Sequence, residues 1–247
     1  MAVIQLIVAL VVLGILYRRM IARDPEPIAK PQAIVPVVLG VLSLPLSFLI
    51  LVAVGILLNY IGYSGAGQPV ILRSLTSGLF MAGLNEELAK LLMMLLAFCI
   101  FRSGIKNVYE CILVGVAVGF GFTLFEEFVY GSSLLVLVVR LLTVAAHVCF
   151  GIVMSKHLGM ARYKKLNGYG SGAVLAEYCM AIAIPILIHS LFDACTGTNR
   201  MLDNPSEEVQ FAGIIFGLGG TVVMIILQIV MLPRLKKDAG KYCSMQI

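Results

Sequence analysis

The chain has 247 residues, of which 60% are hydrophobic and 13% charged, with no tryptophan and a mean hydropathy of +1.02. A soluble domain carries about a quarter charged residues to clothe its surface, so this composition excludes one, and the net charge of +5 takes its meaning from which side of a membrane the basic residues occupy. Apolar runs fall near 2–17, 34–58, 74–101, 109–130, 134–155, 173–194 and 209–232, most of them long enough to cross a hydrocarbon core of about 30 Å. They predict an all-α, polytopic transmembrane helical bundle of about seven spans.

The first span precedes its charges. A signal peptide carries its basic region before the apolar core, so 2–17 is expected to be a retained, reversed anchor. Arg18, Arg19, Arg23 and Lys30 follow it, Arg102 and Lys106 lie between spans three and four, and Lys156, Arg162, Lys164 and Lys165 lie between five and six. Arg234, Lys236, Lys237 and Lys241 follow span seven, whereas the alternate linkers hold only Arg73 and Arg200. The positive-inside rule then puts the N-terminus outside and the C-terminus in the cytoplasm, a multi-pass protein of the cell membrane. Residues 1–247 read as one membrane domain with no repeat. The Gly-rich outer loop 62–67 is a candidate gate.

Ionisable residues inside the spans carry the functional signal, since a charge at bilayer depth costs several kcal/mol unless paired or hydrated. Span three holds Glu86, Glu87 and Lys90, span four Glu126, Glu127 and Tyr130, span five Arg140 and His147, and span six His189 and Asp193. At about 100° per residue, Lys90 can reach either Glu86 or Glu87. Arg140 and His147 share a face two turns apart, as do His189 and Asp193 at i,i+4. Glu86 and His147 fall near the midplane, and Glu126, Arg140, His189 and Asp193 in the outer half, which allows a common pocket opening outward. Pro185 is expected to kink span six beside His189.

Five acids against Lys90 and Arg140 cannot all stay ionised in a low dielectric. Protonated carboxyls, charged histidines or a bound cation such as Zn²⁺ would restore balance, and each supplies an acid/base pair or an activated water suited to amide hydrolysis. Two histidines and a glutamate, His147, His189 and Glu87, match a common catalytic zinc set, and a metal-free glutamate mechanism would use the same residues. A proton- or cation-coupled transporter, or a non-catalytic receptor or scaffold, would also place such groups in the membrane, although the spans show no repeated halves.

Other features read as structural. Gly115, Gly119 and Gly121, and Gly213 with Gly217, form small-residue patterns for close helix packing. The six cysteines are scattered, with no CxxC pair, and predict neither disulfides nor a thiolate site. His157 reads as a solvated residue of the basic cytoplasmic loop, Glu110 and Glu177 as ordinary span ends, and Glu127 and Tyr130 as groups of the outer interface. Nothing points to a nucleic-acid partner.

Glu86-Glu87-Leu88-Ala89-Lys90 resembles the EExxK motif of PrsW-type intramembrane proteases, and the run Gly119-Phe120-Gly121-Phe122-Thr123-Leu124-Phe125-Glu126 to Tyr130 resembles their second motif. Arg140 to His147, and His189-Ser190-Leu191-Phe192-Asp193, resemble the third and fourth. These motifs span about 74–194, which marks a catalytic four-helix core, with 1–58 and 209–232 as accessory spans and 233–247 as a cytoplasmic tail. The family is related to the type II CAAX prenyl endopeptidases. Thr143 stands where that branch has an aromatic, which argues against prenylated substrates. The resemblance implies an endopeptidase that cuts a single-pass membrane protein, such as an anti-sigma factor, on its extracytoplasmic side. It carries Glu86 and Glu87 over as catalytic carboxylates and His147 and His189 as the paired histidines, with Asp193 orienting His189 and with Lys90, Glu126 and Arg140 in support.

Overall fold

A chain segment in lipid must satisfy its own backbone hydrogen bonds, and helices do so internally. The computed structural model describes all residues except 1, 27, 64, 66 and 130–133, so Tyr130 and part of the loop 62–67 lie outside the described residues. The described elements are α1 (Ala2–Ile21), α2 (Lys30–Tyr60), α3 (Val70–Ser77), a π-helical segment (Gly78–Gly83), α4 (Leu84–Ile100), α5 (Val108–Val129), α6 (Leu134–Leu142), α7 (Ala146–Leu166), α8 (Ser171–Cys195) and α9 (Glu207–Cys243). They contain no strand, only an isolated bridge between Asn107 and Gln246.

Among the described residues, six helical stretches are long and apolar enough to cross a membrane: Val3–Ile21, Lys30–Tyr60, Val108–Val129, Leu137–Leu166, Ser171–Cys195 and Glu207–Cys243. The expected third span, 74–101, takes a different form. It is a continuous helical run from Val70 to Ile100 divided by the π segment, and no α-helical piece within it reaches the 18 residues of the other six. The reason is close packing on α8: a Cβ at Gly78 would stand 2.3 Å from the Ser190 carbonyl, and one at Gly83 would stand 2.2 Å from Ser190 Oγ. The wider π turn lets α3 and α4 both follow α8. Asn85 supports it by donating Nδ2 to the Phe80 carbonyl at 2.6 Å.

The buried hub is α5, whose residues Val108 to Thr123 are all buried. Its glycines seat the neighbouring helices. A Cβ at Gly115 would meet the Gly151 carbonyl of α7 at 2.2 Å, and one at Gly121 would meet the Val37 carbonyl of α2 at 1.9 Å, so backbones touch where a side chain would hold them apart. Outward faces of α1, α2 and α9 carry exposed Ile, Leu and Val, including Ile7, Leu49, Ile56, Val223 and Ile229, as lipid contact demands. Helix α9 runs on to Cys243, so most of 233–247 is ordered helix. Met245 and Ile247 then pack against the core, with Val108 N–H donating to Met245 O and Ile247 N–H to Lys106 O.

One pairing departs from the expected surface role of His157. Its Nδ1 lies 2.5 Å from Glu177 Oε2, and Lys164 Nζ donates to Glu177 Oε1 at 2.6 Å. The three side chains clamp α7 to α8, because a histidine at the hairpin end is covered once the two helices pack. All six cysteines are free. Helix α8 continues through Pro185.

Gly119 links packing to the site. A Cβ there would stand 2.4 Å from the His147 carbonyl and 2.8 Å from Val148 Cα, so Gly119→Ala must push the first turn of α7 away from α5. Such overpacking is expected to destabilise the protein by about 1–3 kcal/mol and to lower any activity that depends on His147. Thermal unfolding in detergent and a cleavage assay on the same preparation check both.

Candidate active site

The ionisable residues of α4 to α8 meet in one buried cluster. Glu87, at the start of α4, accepts a bond from Lys90 Nζ at 2.6 Å one turn later, and both side chains are inaccessible. The same Glu87 Oε1 accepts from His189 Nδ1 at 2.7 Å, across 102 residues. Lys90 Nζ also lies 3.1 Å from His147 Nδ1 and 4.1 Å from the centroid of the Phe122 ring, a cation–π contact within reach of strong attraction. His147 Nε2 lies 2.7 Å from Glu126 Oε2.

Arg140 closes the end of the cluster away from Glu87. Its Nε donates to both oxygens of Glu127 at 3.1 Å, and its Nη2 reaches Glu126 Oε2 at 3.2 Å. Glu127 is therefore buried and paired, not an interfacial group, because Arg140 enters from α6 above it. An unbroken line of polar contacts runs from Glu87 through Lys90, His147 and Glu126 to Arg140 and Glu127. The line spans α4, α5, α6 and α7, and α8 joins it through His189. Helix pairs bring distant residues together, whereas only Glu87 with Lys90 is a local i,i+3 contact.

The two imidazoles have their centroids 5.1 Å apart in an edge-to-face arrangement, and the Phe150 ring stacks on His189 at 4.9 Å. Neither Phe122 nor Phe150 stands out in the sequence, where each is one aromatic among apolar neighbours. His189 Nε2 faces two further carboxylates, Asp193 Oδ2 at 3.4 Å and Glu86 Oε2 at 3.6 Å. The carboxylate that holds His189 by a short bond is thus Glu87, with Asp193 on the side of the opposite nitrogen. Glu86 Oε2 is buried without a hydrogen-bond partner.

One ligand atom from each of Glu86, His147 and His189 lies within 4.8 Å of the others. Glu87 stands behind this group, its Oε1 committed to Lys90 and His189. A cavity of about 390 Å³ opens beside the histidines, within the usual size of a ligand site. Glu126, Arg140, Asp193 and Phe192 line one part of it, and Gly213 and Gly217 of α9 line another. The last helix, which carries none of the motif residues, is therefore a wall of the site.

The fold and the cluster define a multi-pass helical membrane protein with a buried centre of two histidines and several carboxylates. Residues 31–232 match the model of the PrsW family of intramembrane metalloproteases, and the chain belongs to that family. No curated protein and no solved structure matches it. The chain is accordingly a membrane-embedded peptidase with membrane-protein substrates. The family match also reaches beyond 74–194 to include α2 and most of α9.

Metal chemistry fits the residues present. Two imidazoles and a carboxylate are a common catalytic zinc set, and a buried carboxylate oxygen without a partner is a group that a cation would satisfy. Glu87 would hold His189 from behind in the manner of carboxylate–histidine–metal arrangements. His147 has both ring nitrogens engaged and would release one on binding an ion.

Proposed function

We propose that the protein is an endopeptidase that hydrolyses one peptide bond of a single-pass membrane protein, of the anti-sigma-factor kind, in the outer half of the bilayer. The observation that carries this reading is the convergence of Glu86 on His147 and His189, the two histidines that line the cavity. The bias of basic residues toward alternate linkers supports the outward orientation.

Oε2 is buried without a hydrogen-bond partner in both Glu86 and Glu87, and since Oε1 of Glu87 is committed to Lys90 and His189, the base is Glu86. It accepts a proton from the attacking water as the water oxygen bonds to the scissile carbonyl carbon, and it returns that proton to the departing amine nitrogen as the C–N bond breaks. His147 and His189 face the developing oxyanion. Glu87 and Lys90 hold His189 and His147 in orientation, and Glu126, fixed by Arg140, holds His147 from the outer side. A divalent ion, when bound, would sit on Glu86, His147 and His189 and supply Lewis-acid polarisation and a more acidic water. Apolar walls around His147 and His189 exclude bulk water, which strengthens each of these electrostatic contacts.

The test is purified protein reconstituted with a single-pass substrate, with product termini mapped and metal content measured. We expect a cut within or just outside the outer half of the substrate span, and one divalent ion per active chain that is lost in His147→Ala. A cut on the cytoplasmic side would overturn the orientation. Full activity in protein free of metal would assign the water activation to Glu86 alone.

A further inference from the structure

Between α6 and α7 the helix is interrupted at 143–145. Lipid cannot satisfy the backbone groups freed at such a break, so each needs a partner in the protein or in a cavity. Two of them are taken by one side chain. Ala145 N–H donates to Gln228 Oε1 at 3.0 Å, and Gln228 Nε2 donates to Leu142 O at 3.2 Å. A further bond, from Gln228 Nε2 to Met224 O at 3.2 Å, ties the amide to its own helix. Gln228 is buried in the apolar run of α9, where an amide with no partner would be expensive.

The chemistry of the side chain fits the task. Bridging a break needs a donor and an acceptor presented together, which a carboxamide offers in one plane. His147 follows Ala145 by two residues, in the first turn of α7. Its ring contacts to Lys90 and Glu126 depend on where that turn begins.

We infer that Gln228 is a positioning residue: its amide spans the α6–α7 break and sets the first turn of α7, and so the His147 imidazole, against Glu126 and His189. The last transmembrane helix thereby belongs to the working unit and is more than an accessory. The consequence for hydrolysis rests on the reading of His147 as an active-site group.

Gln228→Met keeps the size and removes both bonds, and Gln228→Glu keeps the acceptor for Ala145 N–H when ionised. In the reconstituted full chain, Gln228→Met is expected to lower kcat per folded molecule by about 10–100-fold with KM little changed, and to lower the unfolding temperature because two backbone groups lose their partner. Gln228→Glu should fall between it and wild type. The Ala145 amide should lose protection from hydrogen exchange, and the His147 imidazole resonances should move. Unchanged kcat in Gln228→Met, or a loss of kcat that only follows a loss of folded protein, overturns the inference. If wild type cleaves nothing, the hydrolase reading fails by itself, and the resonances still decide: a His147 signal indifferent to Gln228→Met overturns the positioning role.

Discussion

His189→Ala is expected to reduce cleavage by about 10²–10⁴-fold, the range for losing a group that moves or stabilises charge in the transition state. Its imidazole contacts three carboxylates at once, at 2.7 Å from Glu87 and at 3.4 and 3.6 Å from Asp193 and Glu86. Removing it leaves Glu87 with Lys90 alone and takes one imidazole from the reacting centre. His189→Gln restores a donor toward Glu87 and should recover folding without recovering turnover. Initial rates on a reconstituted single-pass substrate decide the matter. Retention of more than about a tenth of wild-type rate would limit the contribution of His189 to less than about 1.4 kcal/mol of transition-state stabilisation and sink its assignment to the reaction.

Lys90→Met should have the largest effect on stability. Both members of the Glu87–Lys90 pair are inaccessible, and removal of one partner from a buried pair costs about 3–5 kcal/mol, here because Glu87 stays buried with only the His189 bond to hold its charge. Lys90 also lies over the Phe122 ring and against His147, so its loss frees the imidazole as well. Glu87→Gln in the same background removes the orphaned charge. The double variant is therefore expected to regain much of the stability while regaining no activity. Denaturant unfolding in detergent, run on wild type, the single variant and the double, measures the first effect, and the cleavage assay measures the second. A double variant no more stable than Lys90→Met would show that the pair is held by packing rather than by charge.

Much of this site is legible in the amino-acid sequence, for a physical reason. Carboxylates, a lysine and histidines cannot hide in apolar helices, so Glu86, Glu87, Lys90, Glu126, Arg140, His147, His189 and Asp193 each stand out from their neighbours. Helical spacing also yields the Glu87–Lys90 contact, because it is local. Spacing is silent on partners in other helices. Asp193, four residues from His189, is the natural choice to orient it, yet the short bond comes from Glu87, 102 residues away. The same limit hides the Arg140–Glu127 pair and the His157–Glu177 clamp, where residues expected at an interface or in solvent are covered by a neighbouring helix. Gln228 leaves a signal, a lone amide in an apolar run, but its purpose depends on an interruption in another helix. The π segment leaves none, since Gly-Leu-Phe-Met-Ala-Gly reads as ordinary apolar sequence.

That π segment has a consequence for how related chains are compared. A π turn amounts to one residue inserted into an α-helix, and one residue of α-helix is about 100° of rotation. Loss of a single residue between Gly78 and Gly83 would turn the whole of α3 by about that angle relative to Glu86 and Glu87, and swing its α8-facing side toward lipid. In an alignment, a one-residue gap at this place is therefore a change of architecture, not loop variation, and the register of the Glu-Glu motif is counted from α4 onward rather than from the start of the span.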